Sequence, residues 1–159
     1  MRRYLFNTDK LRYVKGEKPQ VECILCAIRD NNPEVKNLEI CRSESIICTV
    51  NLFPFNPGHL MLFPARHVED PSEMTDQESL EMHNMLVRAL DAIRQEFSPA
   101  GFNIGYNLGD ESGASIAHLH CHVVPRYRNE TGFLDVLAGT RVVVADPVEV
   151  MERLKKRLA

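Results

Sequence analysis

The run Ile116-Ala117-His118-Leu119-His120-Cys121-His122-Val123-Val124 constrains this chain more than any other stretch of it. Its residues alternate: Leu119, Cys121 and Val123 fall on one side of an extended backbone and three histidines on the other. A half-buried strand from Ile116 to Val124 is expected, with its apolar side in the core and three imidazoles about 6–7 Å apart on the opposite face. Half of the chain's six histidines sit here, which makes a chance solvated face a poor account of them. An imidazole is neutral or nearly so at pH 7 and serves as nucleophile, general base or metal ligand, so the row predicts a catalytic or metal site.

The surrounding segments place this strand in a sheet. Leu38 to Cys41 and Ser45 to Phe53 read as strands, the second rich in Ile, Val and Thr. Asn56-Pro57-Gly58 is a turn signal, after which His59 to Phe63 returns as a third strand. Phe102 to Leu108 is a fourth, joined to the histidine strand by a loop through Gly109 and Gly113. A short helical turn is expected after Cys26, stopped near Asn31-Asn32-Pro33. The clearest helix runs from Asp76 to about Phe97, with Thr75 and Glu78 as a capping box and Met82, Leu86, Leu90, Ile93 and Phe97 as its apolar stripe. A C-terminal helix, about 146–158, opens on Asp146-Pro147 and closes on Lys155-Lys156-Arg157, in keeping with the helix dipole. Consecutive strands joined by short turns, with the helices set apart, predict an α+β fold: a five-stranded antiparallel sheet with two main helices. The 159 residues fit a single domain, 1–159, with an N-terminal arm over about 1–20.

Composition narrows the function. A net charge of −3 gives no electrostatic case for a nucleic-acid polymer as partner. No apolar run approaches the ~20 residues that cross a bilayer, and Met1-Arg2-Arg3 is not followed by a signal-peptide core, so no membrane and a cytoplasmic address are expected. A small anionic ligand stays open, since Arg66, Arg126, Arg128 and Arg141 offer local positive charge. Five cysteines, an odd number, predict reduced thiols, some on a metal, over a disulfide framework. Cys23-Ile24-Leu25-Cys26 supplies half of a tetrahedral zinc site. The best-placed further donors are His67 and one histidine of the row, while a redox pair and two unligated thiols remain alternatives. Cys41, Cys48 and Cys121 alternate with apolar residues and read as core, and His59 and His83 read as bystanders. Asn107 to Ser115, rich in glycine and small residues, can bring backbone N–H groups close to an anion.

Gly113-Ala114-Ser115-Ile116-Ala117-His118-Leu119-His120-Cys121-His122-Val123-Val124 resembles the signature of histidine-triad nucleotide-binding proteins. Asn56-Pro57-Gly58-His59-Leu60 through Pro64-Ala65-Arg66-His67 resembles that family's upstream block. The stretch His122 to Tyr127, with Thr140-Arg141-Val142, is similar to the microbial diadenosine tetraphosphate phosphorylase branch. Tyr127 stands where that branch usually has tryptophan, and Cys121 where it often has glutamine.

The resemblance implies a nucleotidyl-transfer enzyme, phosphorylase or hydrolase, acting on dinucleoside polyphosphates and forming a homodimer. His120 would be the nucleophile that attacks the α-phosphorus, with His122 stabilising phosphoryl charge. Ser115, Asn107 and backbone N–H groups around Gly113 and Ala114 would hold the phosphates, and Asn51 the ribose. By the same resemblance Cys23, Cys26, His67 and His118 would bind a structural zinc that orients the strand. Arg126 and Arg141 would attract inorganic phosphate as acceptor. An adenosine phosphoramidate hydrolase and a non-catalytic nucleotide-binding module are the alternatives.

Overall fold

Five strands, β1 (Glu39–Arg42), β2 (Ile46–Val50), β3 (Leu60–Pro64), β4 (Gly101–Tyr106) and β5 (Cys121–Arg126), form one sheet in the spatial order β1-β2-β3-β5-β4. Every neighbouring pair is antiparallel, as expected for an α+β chain. The structure, a computed structural model, describes residues 19–128 and 145–158. The expected arm, up to residue 18, and Thr140-Arg141-Val142 lie outside the described residues. Among the described residues, no helix is long and apolar enough to cross a membrane.

Both faces of the sheet centre are covered, which is why β2 and β3 are buried along their whole length and read as continuous apolar runs. On one face Ile46, Cys48, Val50, Leu60, Leu62, Cys121 and Val123 pack beneath two helices, α2 (Asp76–Phe97) and α3 (Pro147–Leu158). On the other, Ile47, Met61 and Phe63 meet the short helix α1 (Ile24–Arg29) through Leu25 and Ile28.

The helix α2 has the limits expected from its capping signals. The Thr75 hydroxyl accepts the Glu78 N–H at 3.2 Å and the Glu78 carboxylate accepts the Thr75 N–H at 2.8 Å, reciprocally satisfying two end donors. Its buried stripe is rotated from the expected one. Met82, Met85, Ala89, Ala92 and Ile93 face the sheet, while Leu86, Leu90 and Phe97 flank the contact half-buried. Two alanines let the helix lie close to the sheet, and the larger side chains then fill the margins. The helix α3 buries Val150, Leu154 and Leu158, at i, i+4 and i+8. Truncating the fully buried Leu154 to alanine would cost about 2–5 kcal/mol.

Several elements are bounded differently from expectation, among them β4, which spans Gly101–Tyr106 in place of Phe102 to Leu108; in three others a polar group redirects the backbone. Strand β2 stops at Val50, short of Phe53, where the Asn51 side chain accepts the Phe53 N–H at 2.9 Å and turns the chain. Strand β5 starts at Cys121 and not at Ile116; just upstream the Leu119 N–H bonds the Val68 carbonyl at 2.7 Å, outside the ladder. Helix α1 opens before Cys26. Cys23 is its N-cap, and its sulfur accepts the Cys26 N–H at 3.5 Å.

The Asn56-Pro57-Gly58 turn is locked onto the end of β5. The Asn56 amide donates to the Pro125 carbonyl at 2.6 Å and the Tyr127 hydroxyl to the Pro57 carbonyl at 2.8 Å. Gly58 has φ +80°, and a Cβ there would lie 3.2 Å from the Phe97 ring and 3.3 Å from Pro125. Both its backbone angle and its close approach require glycine. This turn delivers His59 to the sheet directly beside β5.

Candidate functional site

The three histidines of the row divide between two sites. His118, with no exposed surface, points at sulfur. Its Nε2 lies 2.8 Å from the Pro64 carbonyl, so Nε2 carries the proton and Nδ1 keeps its lone pair. That Nδ1 is 3.4 Å from the Cys23 sulfur and 3.5 Å from the Cys26 sulfur. His67 Nδ1 approaches the Cys26 sulfur at 3.4 Å, with the Glu69 carboxylate 3.5 Å from its other nitrogen. The four donor atoms lie within 4.8 Å of one another. A tetrahedral ion bonded to sulfur at about 2.3 Å and nitrogen at about 2.05 Å sets S···N edges of about 3.5 Å, so the donor set fits zinc in identity, number and spacing. Burial lowers the His118 imidazole to about 4. Burial and the adjacent Cys23 thiol push the Cys26 thiol up to about 11. A bound dication would reverse that second effect by favouring thiolates.

His120 and His122 face a cleft of about 460 Å³. The His120 Nδ1–H donates to the His118 carbonyl at 2.7 Å, leaving the Nε2 lone pair for the cleft. Burial lowers the His120 pKa below its usual 6.5, more than that hydrogen bond raises it, and keeps the ring neutral. The two rings meet edge-on, with centroids 4.7 Å apart and planes at 75°.

Asn107, Gly113 and Ser115 contribute polar groups to the cleft wall, and Ile24, Ile28, Leu38, Val50, Phe53 and Met61 contribute apolar ones. Asn51 lines it too, where β2 gives out. The arrangement suits a ligand with a flat apolar part and an anionic part. Ala114 is not among the lining residues; its N–H bonds the Ser112 hydroxyl at 3.3 Å within the loop. Arg126 also lies elsewhere, its guanidinium donating to the Asn103 side chain at 3.1 Å. Arg66 is engaged by the Glu78 carboxylate at 2.9 Å and the Glu73 carbonyl at 2.8 Å. Arg141 is outside the described residues. Lys36 and Glu34, which no sequence signal singles out, are the charged side chains of the cleft wall among the described residues.

His59 is the residue that sequence reasoning misjudged as a bystander. It is completely buried, and its Nδ1 accepts the Phe55 N–H at 3.1 Å. Its proton therefore sits on Nε2, 3.0 Å from His122 Nδ1. His122 accepts there, which leaves its own proton on Nε2; the Asn107 side-chain nitrogen, also a donor, lies 3.5 Å from that atom and does not accept from it. The register Met61↔His122 across β3 and β5 brings the fourth histidine within reach, and the pattern of a single strand does not reveal which strand will lie next to it. His83 is exposed on α2, as expected.

The family model described as the HIT domain matches residues 32–129. The chain belongs to the HIT domain family. Among the relatives of this HIT chain is the AP-4-A phosphorylase of Mycobacterium tuberculosis, 39% identical over 68% of this chain and 56% of that protein. The asymmetrical bis(5'-nucleosyl)-tetraphosphatase of Schizosaccharomyces pombe is 32% identical over 48% of this chain and 42% of that protein. The HIT chain thus spans about half the length of these relatives. Its fold is that of a zinc-bound histidine triad family protein from Mycobacterium smegmatis, with a TM-score of 0.70 at 24% identity over 86% of this chain and 93% of that one.

Proposed function

We propose that this HIT protein cleaves dinucleoside polyphosphates by nucleotidyl transfer through a covalent intermediate on His120. The observation that carries the reading is the His120 tautomer: Nδ1–H is committed to the His118 carbonyl, so a neutral Nε2 lone pair faces the cleft beside His122, Asn107 and Ser115. In the reaction His120 Nε2 attacks the α-phosphorus, a P–N bond forms, and the bond to the departing polyphosphate oxygen breaks. His122, holding a proton on Nε2, donates to the phosphoryl or leaving oxygen as charge develops, and His59 keeps it in that tautomer. Asn107, Ser115 and the Gly113 turn hold phosphate oxygens, Asn51 the ribose, and the apolar lining residues the base.

Phosphate or water then attacks the nucleotidyl-histidine and releases a nucleoside diphosphate or monophosphate. The relative named AP-4-A phosphorylase supports phosphate as acceptor. Water is favoured by one specific observation: Arg126, a candidate for attracting phosphate, is bonded to Asn103 away from the cleft. Incubation with diadenosine tetraphosphate, with and without phosphate, separates the two. ATP plus ADP only in the presence of phosphate is the expected result; ATP plus AMP in both conditions makes the chain a hydrolase. No cleavage in either condition overturns the proposal.

Cys23, Cys26, His67 and His118 would hold one zinc with no open coordination position, making the metal structural. When bound it supplies charge that fixes the thiolates, and it clamps α1 to the segment entering β5. A homodimer is part of the same proposal. Strand β4 ends the sheet with an exposed edge, and its Ile104 and Tyr106 are exposed. A second copy adding its own β4 there would satisfy that edge. Sedimentation at about twice the chain mass is the expected result. The reduced thiols and the nucleotide substrate fit a cytoplasmic address.

A further inference from the structure

We propose that Cys41 and Cys48 are a reactive dithiol, which a hydroperoxide closes into a disulfide between β1 and β2. A bulge brings the pair together. Continuing the Glu39↔Thr49 pairing regularly would set Cys41 opposite Ile47, but the register shifts between Glu39 and Cys41 and places Cys41 directly opposite Cys48. Facing residues of antiparallel strands have Cα atoms about 4.5 or 5.5 Å apart, inside the ~4.4–6.8 Å range that a disulfide spans. Both side chains lie on the helix-covered face, Cys48 fully buried and Cys41 half-buried at the margin.

The surroundings distinguish the two thiols. The Cys41 S–H donates to the Met85 sulfur of α2 at 3.7 Å. The Cys48 thiol, hydrogen-bonded to Cys41, pulls Cys41 below the ordinary thiol range, and Arg88 adds to this while burial opposes it. The same hydrogen bond and complete burial push Cys48 up. Cys41 is thus the thiol that ionises and meets a small oxidant, and Cys48 the one that resolves the product. The Cys41 thiolate attacks one peroxide oxygen: the S–O bond forms, the O–O bond breaks, and the departing hydroxide or alkoxide takes up a proton. The Cys48 sulfur then attacks Cys41, the S–S bond forms, and hydroxide leaves with the Cys48 proton as water. Two thiols lose two electrons, and a hydroperoxide is reduced to water and water or an alcohol. The resulting brace joins the hairpin whose second strand runs into Asn51.

The test treats the purified protein with hydrogen peroxide, blocks remaining thiols with N-ethylmaleimide and digests it without reduction. Trypsin cuts after Arg42, between the two cysteines, so a disulfide appears as two joined peptides, with a loss of about 2 Da per chain for this bond. Joined Cys41 and Cys48 peptides are the expected result, absent in Cys41→Ser. In Cys48→Ala, a sulfenic acid trapped by dimedone should map to Cys41. Maleimide on both Cys41 and Cys48 after peroxide, stable over-oxidation of Cys41 with Cys48 free, or cross-linking confined to Cys23 and Cys26 would each overturn the proposal.

Discussion

His118 and His120 are two residues apart, both buried, and both have their pKa values lowered by burial, yet they present opposite nitrogens to different partners. His118 gives its Nε2–H to the Pro64 carbonyl and aims Nδ1 at two sulfurs. His120 gives its Nδ1–H to the His118 carbonyl and aims Nε2 at the cleft. The imidazoles are chemically identical; the nearest carbonyl decides which ring nitrogen keeps its lone pair, and so whether that lone pair faces sulfur or the cleft. His122 extends the comparison. Its Nδ1 is taken by the proton of His59, which leaves it as a donor toward the cleft.

The largest expected effect separates the two neighbours. His120→Ala should lower turnover by roughly four orders of magnitude or more while nucleotide binding persists, because the ribose and phosphate contacts remain. His118→Ala should cost far less in rate, since the carbonyl that holds His120 belongs to the backbone and survives. Comparable losses in the two variants, measured by single-turnover kinetics, would break the division of roles.

Removing the metal side comes next. Cys23→Ser with Cys26→Ser should abolish the expected single zinc per chain and lower Tm by roughly 10 °C, for the loss of a few kcal/mol from a closed ligand set. Stoichiometric zinc in the double variant, by metal analysis, would refute the site. Activity should fall less than in His120→Ala.

His59→Ala tests the tautomer argument more gently. Losing one orienting hydrogen bond of about 1–1.5 kcal/mol should reduce kcat about tenfold, with KM changed little. His59→Gln, which can still donate, should restore part of the rate. A KM effect with kcat intact would assign His59 to substrate binding in place of positioning.

The smallest effect is on pH dependence. Burial depresses the His120 pKa below 6.5, so the neutral ring should persist below that pH, and an NMR titration of the imidazole should show its midpoint there. The sign for stability follows from linkage. The unfolded chain binds this proton near pH 6.5 and the folded chain resists it, so the contribution is full above 6.5 and declines as pH falls from there toward the folded value. A midpoint at or above 6.5 would mean the ring is solvated.

Local signals were readable to different depths. The limits of α2 follow from Thr75, Glu78 and the segment's apolar period, and they agree with the structure residue for residue. Five strands were visible, but the ends of β2 and β5 were not, because Asn51 and the Val68 carbonyl capture backbone N–H groups that alternation alone assigns to the ladder. Cys41 shows the same limit inside a strand. Its facing partner depends on a one-residue bulge that hydrophobic patterning does not encode.

The sequence by itself determined the sheet-and-helix class and singled out the histidine row and the cysteine pair, but not His59, Glu34 or Lys36. Period-2 and period-3.6 patterns, caps and turn residues act between neighbours, and the histidine row with the Cys-x-x-Cys pair carries its chemistry in its residue types. Only the tertiary structure decided which ring nitrogen each histidine presents, and to what. The sulfur facing His118 comes from 95 positions away, the carbonyl that sets its tautomer from 54, and the histidine that orients His122 from 63. A tautomer follows from hydrogen-bond partners in space, and those partners meet only when α1, β3 and β5 have packed.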